Sequence, residues 1–240
     1  MGGLNLVKSF LHNLKESFGT LKPETTLYYP GCMTQSFLKE VFENYKALLH
    51  DLNIDFITIK DLKCCGSPLL NAGYRDGFDE IKEFNLRLIK KSKITKIITN
   101  CPHCYEIFKN EYGFNTEHIT QTLFSNKHKL SADNLGEITY HDPCLLSRKN
   151  KIIREPRGVL KQSGFTIIEP FRTKEKTFCC GAGGGVKQNS PKIANKIAKE
   201  RLTQLDAKKV VVSCPYCYAH LKDNADSKKK IVELSETLVD

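Results

Sequence analysis

All ten cysteines of this 240-residue chain fall into two sets of five with matched spacing. Cys32, the pair Cys64 and Cys65, Cys101 and Cys104 make the first set. Cys144, the pair Cys179 and Cys180, Cys214 and Cys217 make the second, about 113 residues further on. The neighbours repeat as well. Tyr29-Pro30-Gly31-Cys32 answers to His141-Asp142-Pro143-Cys144, Lys63-Cys64-Cys65-Gly66 to Phe178-Cys179-Cys180-Gly181, and Cys101-Pro102-His103-Cys104 to Cys214-Pro215-Tyr216-Cys217. Thiolates are soft ligands that select iron-sulfur clusters, zinc or Cu(I), so each set is a candidate metal site and the chain a candidate duplication. Adjacent cysteines bridge each other poorly, because their Cα atoms are held about 3.8 Å apart, below the usual disulfide range.

Five ligands narrow the choice. A structural zinc site uses four. A cubane 4Fe-4S cluster also takes four cysteines, and the closely spaced CxxC run of ferredoxins is absent. Two adjacent sulfurs can reach different irons, or one can bridge two, so the pattern favours an iron-sulfur centre other than a simple cubane. The rival chemistry is thiol-disulfide exchange, since Cys214-Pro215-Tyr216-Cys217 looks like a glutaredoxin motif and Cys101-Pro102-His103-Cys104 like that of disulfide-forming oxidoreductases. A thioredoxin-like fold has no use for three further cysteines in register with each CxxC.

Other residues invite roles. Gly181-Ala182-Gly183-Gly184-Gly185 can bring backbone N–H groups close to a negatively charged cluster or substrate; the bland alternative is a tight turn before a helix starting at Ser190-Pro191. The loop lacks the GxGxxG and GK[ST] signatures of nucleotide binding. His141 can hydrogen-bond a cluster sulfur or protonate a leaving thiolate, or simply fix a strand end. His103 is a weaker proton-handling candidate, and Lys187 a weak one for attracting an anionic substrate.

The elements that must hold these residues alternate between strand and helix. Strands are predicted at residues 26–29, 55–59, 96–100, 137–140, 165–168 and 209–213, with helices at 35–52, 74–92, 152–163 and 191–205. Such alternation implies an α/β class with small parallel sheets, in which the loops beyond the carboxyl ends of the strands form the functional crevice. Every cysteine cluster lies there. Residues 117–123 also echo 232–238. The expected organisation is an N-terminal amphipathic helix (residues 4–21, within a 1–25 segment), a first repeat at 26–126, a polar linker at 127–136 and a second repeat at 137–240.

With 40% apolar residues the chain can bury a large core without disulfide staples. It shows neither a leader-like apolar stretch nor 18 consecutive apolar residues, which predicts a cytoplasmic protein with no membrane span of its own. There, repeated cysteine pairs more often bind metal or do redox chemistry than form structural bridges. The formal charge of +10 counts the thiols as neutral; metal-bound thiolates offset much of it. No aromatic residues interleave the lysines as a nucleic-acid groove requires, so no nucleic-acid partner is expected.

The gaps of 31 and 35 residues in the first half, and 34 and 33 in the second, together with Tyr140-His141-Asp142-Pro143-Cys144, Phe178-Cys179-Cys180-Gly181 and Cys65-Gly66-Ser67-Pro68, resemble the CCG-domain, or cysteine-rich, iron-sulfur family. The likeness is especially close to the catalytic components of heterodisulfide reductase, of the B and D types. It implies that each set of five ligates a noncubane 4Fe-4S cluster, and that a disulfide substrate lies between the two clusters and receives one electron through each. Some relatives have one degenerate unit or one suggested to hold zinc, so zinc at the first site stays open.

The chain shows no ferredoxin run, flavin fingerprint or quinone-binding segment. A ferredoxin-like iron-sulfur subunit is therefore the expected electron donor, and the helix at 4–21 a candidate docking element. The alternatives are an electron-transfer subunit of a lactate or glycolate oxidation complex and, less prominent, a zinc-stabilised interaction protein.

Overall fold

A computed structural model describes residues 25–130 and 135–239. The expected helix at 4–21 lies outside the described residues, as do positions 131–134 of the expected linker.

Each half is a parallel sheet with helices, as the alternation predicts. In the first half β1 (Thr25–Tyr28) pairs with β2 (Ile94–Thr99), and β2 with β3 (Asn115–His118), giving the order β1-β2-β3. In the second half β4 (Gly136–His141), β5 (Phe165–Ile167), β6 (Lys209–Val212) and β7 (Lys230–Glu233) are ordered β5-β4-β6-β7. Val210, Val211 and Val212 are all buried, as in a parallel sheet covered on both faces.

The strand expected at 55–59 shrinks to one bridge. Ile57 pairs with Leu27, accepting from Tyr28 N–H and donating to the Thr26 carbonyl, both at 2.9 Å. This bridge occupies the edge that β5 fills in the second half, so the two sheets share one topology. The segment has a neighbour on one side only, and Asp55 and Thr58 are exposed, so little burial rewards a longer ladder.

The helix expected at 35–52 is likewise broken. It forms α1 (Cys32–Phe37) and α2 (Lys39–Asp51), separated at Leu38. Leu38 packs against both the core shared by the halves and the core of the second half, and turning the chain there lets α1 carry Cys32 while α2 covers the sheet. The helix expected at 74–92 is α4 (Arg75–Lys91), after the short α3 (Ser67–Asn71). Two further helices of the first half were not expected, α5 (Pro102–Asn110), which starts inside a CxxC, and α6 (Ile119–Ser125). In the second half α7 (Arg154–Gln162), α8 (Val186–Asn189), α9 (Pro191–Thr203) and α10 (Pro215–Asn224) follow in order.

The halves are joined by a common core. Tyr28, Tyr45, Leu49 and Ile98 of the first half pack in one cluster with Ile138, Tyr140, Val211 and Leu234 of the second. At its centre Tyr45 Oη donates to Glu233 Oε1 at 2.7 Å. The two cysteine faces are therefore fixed relative to each other by apolar burial as well as by chain connection.

Candidate metal centres

The same local device presents each CxxC. A strand delivers Cys101 or Cys214 in extended conformation, and proline at the next position opens a helix, where its missing N–H and fixed φ suit the first turn. Cys104 and Cys217 then lie on that first turn, where donation to neighbouring sulfurs and burial raise them, while the Cys104 thiol and then the helix N–H groups of Cys104 and His103 lower Cys101. The residue before each CxxC is tied to a neighbouring strand of its half. Tyr28 Oη donates to Asn100 Oδ1 at 3.2 Å, and Tyr140 Oη and Ser213 Oγ lie 2.5 Å apart.

The five thiols of each set converge. A cavity of about 420 Å³ is lined by Cys32, Cys64, Cys65, Cys101 and Cys104. A second, of about 460 Å³, is lined by Cys144, Cys179, Cys180, Cys214 and Cys217. All ten are free thiols. The sulfurs stand 3.8 Å apart in Cys32–Cys64, 3.6 Å in Cys144–Cys179 and 3.2 Å in Cys180–Cys217. Burial repeats too: the last three cysteines of each set are buried, while Cys32, Cys64, Cys144 and Cys179 are at least partly open. Each set thus has a buried base and two sulfurs facing the opening.

Backbone shape permits this crowding. Gly31 has φ +80°, and a Cβ there would stand 3.1 Å from Cys104 Sγ. Gly181, at φ +87°, sends its N–H to Cys179 Sγ at 3.4 Å. The expected approach of the glycine loop is present and extends further, since residues 182–184 line both cavities. Lys187 lines neither; it pairs with Asp223 at 3.1 Å.

The thiols divide their protons unequally. Cys64 falls to about 3, first because the Cys32 thiol donates to it and then because Cys65 does, against the opposing effect of burial. Cys179 falls to about 2 through donation from Cys144 and Cys180, again against burial. Cys32 and Cys144 hold their protons more tightly, being the donors to these sulfurs. Every set therefore has a ready thiolate, the form that binds metal. Five convergent sulfurs over a cavity, one already ionised, fit an iron-sulfur group with Cys32, Cys64, Cys65, Cys101 and Cys104 at one centre and the other five cysteines at the second.

Around the second centre lie side chains that sequence reasoning missed. Asp142 is buried and receives both Arg157 Nη atoms at 2.8 Å and the Lys174 N–H at 2.8 Å. Arg157 also donates to both Glu169 oxygens, at 2.6 and 2.8 Å. Burial pushes the Glu169 carboxyl up, but the Arg157 and Thr173 hydrogen bonds outweigh it and bring it down to about 2. This network pins the turn between β4 and Cys144. His141 is fully buried, and its Nδ1 accepts from Arg201 Nε at 3.1 Å. Burial and the Arg201 charge hold the ring neutral, at about 3. Its proton therefore resides on Nε2, which has no partner, and the ring lies with the Cys180 and Cys217 sulfurs inside a 4.8 Å group.

The chain matches the cysteine-rich (CCG) domain family twice, over residues 26–109 and 138–222. It belongs to that family of iron-sulfur proteins. It is 32% identical to an uncharacterized iron-sulfur protein of Methanocaldococcus jannaschii over 82% of this chain and 41% of that one. It is 33% identical to the D component of the dihydromethanophenazine:CoB–CoM heterodisulfide reductase of Methanosarcina acetivorans, over 89% of this chain and 57% of that one. An EtfAB:quinone oxidoreductase of Syntrophomonas wolfei is 31% identical over 88% of this chain and 34% of its own length. The chain thus spans between about a third and three-fifths of these relatives. Among solved structures, the glutamate racemase RacE1 of Bacillus anthracis gives a TM-score of 0.40 at 11% identity, over 91% of this chain and 79% of that one; so slight a likeness bears on neither fold nor function. No helix among the described residues is long and apolar enough to cross a membrane.

Proposed function

We propose that the chain is an iron-sulfur oxidoreductase subunit of heterodisulfide reductase type, reducing a small-molecule disulfide with electrons from a ferredoxin-like partner subunit. The observation that carries this reading is the pair of cavities, each lined by one complete set of five cysteines and separated by a shared wall. That wall comprises His103, Tyr216, Ser67, Asn71 and residues 182–184. Relatives named as heterodisulfide reductase and other oxidoreductase components support the class.

Noncubane 4Fe-4S clusters at the two sites, when bound, supply one-electron transfers on either side of the wall. The reaction takes two electrons and two protons and turns one S–S bond into two thiols. The protein's own part is to position. The wall of small residues gives a disulfide access to both sides, and its two rings confine it. His141 stands at the second site as a neutral imidazole whose Nε2–H has no partner and is free to donate to a cluster or its sulfurs, a role that suits a buried neutral ring better than proton delivery.

A second reading keeps zinc at one site. Thiolates about 2.3 Å from a tetrahedral zinc stand about 3.8 Å apart, close to the Cys32–Cys64 separation of 3.8 Å. The test is anaerobic assay of the purified chain, with its partner or a chemical donor, against a mixed disulfide and against lactate and glycolate. Consumption of the disulfide alone supports the proposal; turnover of the hydroxy acids alone replaces it with the electron-transfer alternative.

A further inference from the structure

The two cysteine sites are near copies, but their buried polar surroundings differ. At the second site Arg201 is wholly buried. Its Nε is committed to His141 Nδ1 and its Nη1 to the Arg172 carbonyl at 2.9 Å and Gln204 Oε1 at 3.3 Å, while Nη2 has no partner. No described carboxylate lies within ion-pair distance of it, yet it remains a cation, since burial lowers it only to about 10. A buried guanidinium without an acid beside it is costly unless negative charge comes from elsewhere. Of the negative groups, Asp142 acts on it most strongly, followed by the Cys217 and Cys180 sulfurs of the second site, which become thiolates when they bind metal.

The acids nearby are already answered. Asp142 and Glu169 share Arg157 and take further hydrogen bonds from Thr173 and the Lys174 N–H. Glu106 pairs with Lys149 at 2.7 Å, and Glu111 lies 3.4 Å from Arg75.

The first site has no such cation among the described residues. In the helix corresponding to α9, the buried polar residue is Asn85, whose amide donates to the Cys64 carbonyl at 3.1 Å and accepts from the Lys63 N–H at 2.9 Å. The residue corresponding to His141 is Tyr29, and its hydroxyl proton is spent on the Lys63 carbonyl at 2.9 Å. Neither can offer a hydrogen to a sulfur, and no Lys, Arg or carboxylate of the described residues lines the first cavity, whereas Glu106, Glu111 and Lys149 line the second, with Arg201 and His141 behind its wall.

We infer that Arg201 and His141 act as a positioning pair that gives the second site a more positive reduction potential than the first. Arg201 holds the His141 hydrogen on Nε2, in a ring grouped with the Cys180 and Cys217 sulfurs, and its charge adds to that of the N–H dipole. Both favour the more negative, reduced state of whatever redox group those sulfurs hold. The inference rests on the reading of both sites as iron-sulfur centres.

The test is a potentiometric titration, followed by electron paramagnetic resonance, of the full chain loaded anaerobically with iron and sulfide. A Cys101→Ala/Cys104→Ala variant isolates the second site and a Cys214→Ala/Cys217→Ala variant the first, neither touching Arg201. The second site is expected to reduce at the higher potential. Arg201→Gln is expected to lower the reduction equilibrium constant of the second site about tenfold, ~59 mV for a one-electron couple, with the first site unmoved and with Arg201→Lys recovering most of the shift. Equal potentials, or a higher one at the first site, overturn the inference while leaving the cluster reading intact. Absence of bound iron and sulfide overturns the cluster reading itself.

Discussion

The imidazole of His103 and the phenol ring of Tyr216 stand 5.3 Å apart between centroids, at an interplanar angle of 57°. They occupy the same position of the two CxxC repeats, one from each half, and both rings line both cavities. The contact places the internal duplication face to face at the functional centre.

Truncating either ring removes part of the shared wall without removing a sulfur. His103→Ala and Tyr216→Ala are each expected to keep the wild-type iron and sulfide content and to lower kcat/KM for a disulfide about tenfold, ~1.4 kcal/mol. Steady-state kinetics on metal-matched samples checks this. Unchanged kinetics in both variants would remove the wall from the account.

Gly181 joins the second cysteine pair to the glycine loop at φ +87°, and a Cβ there would meet Ile197 side-chain atoms at 2.9 Å and the Ala194 carbonyl at 3.0 Å. Both the backbone conformation and the packing oppose a side chain. Gly181→Ala is expected to cost about 2 kcal/mol, a fall in Tm of roughly 4–8 °C, by thermal denaturation. It should also release metal from the second site before the first.

Arg157 serves two buried or half-buried acids at once. Removing it strands Asp142 beside Cys144, so Arg157→Gln should destabilise the chain by about 3 kcal/mol, as expected when one partner of a buried pair is lost. Denaturant unfolding measures the loss, and a change below ~1 kcal/mol would mean that the network behaves as a surface one.

Much of this was legible in the sequence, and the limits have physical causes. The repeat grouped the ten thiols into the two sets that the fold brings to two cavities, because a duplicated spacing is visible whatever the local structure. Periodicity found β2, β4, β5, β6, α4, α7 and α9, whose apolar stripes are strong. It missed α5 and gave no bounds for the helix after Cys214, α10, although Pro102 and Pro215 directly after strand-borne cysteines are helix-start signals. It overran at residues 55–59, where Phe56, Ile57 and Ile59 look like a strand but the sheet offers only one edge. Arg201 and Arg157 were invisible, since a charged residue on an amphipathic helix looks solvated until the tertiary fold buries it. The pairing of His103 with Tyr216 depends on how the halves meet, which no local pattern encodes.

The interface between halves carries its own pH dependence. Burial pushes the Glu233 carboxyl from 4.5 up to about 7, despite hydrogen bonds from Ser235 and Tyr45. The folded state thus keeps a proton that the unfolded chain gives up above pH 4.5. Its contribution is complete below that pH and is lost as pH rises through 7, to the extent of about 3 kcal/mol. Glu233→Gln should flatten this fall, so that the variant gains on the wild type between about pH 5 and pH 8 in urea unfolding. A variant that instead loses ground as pH rises would contradict the assignment.

The most direct measurement is the iron, acid-labile sulfide and zinc content of the anaerobically purified chain, with electron paramagnetic resonance during stepwise oxidation and thiol addition. Two clusters predict about eight irons and eight sulfides per chain and a signal that responds to the thiol. Zinc without sulfide would contradict the redox account and leave a structural metal protein.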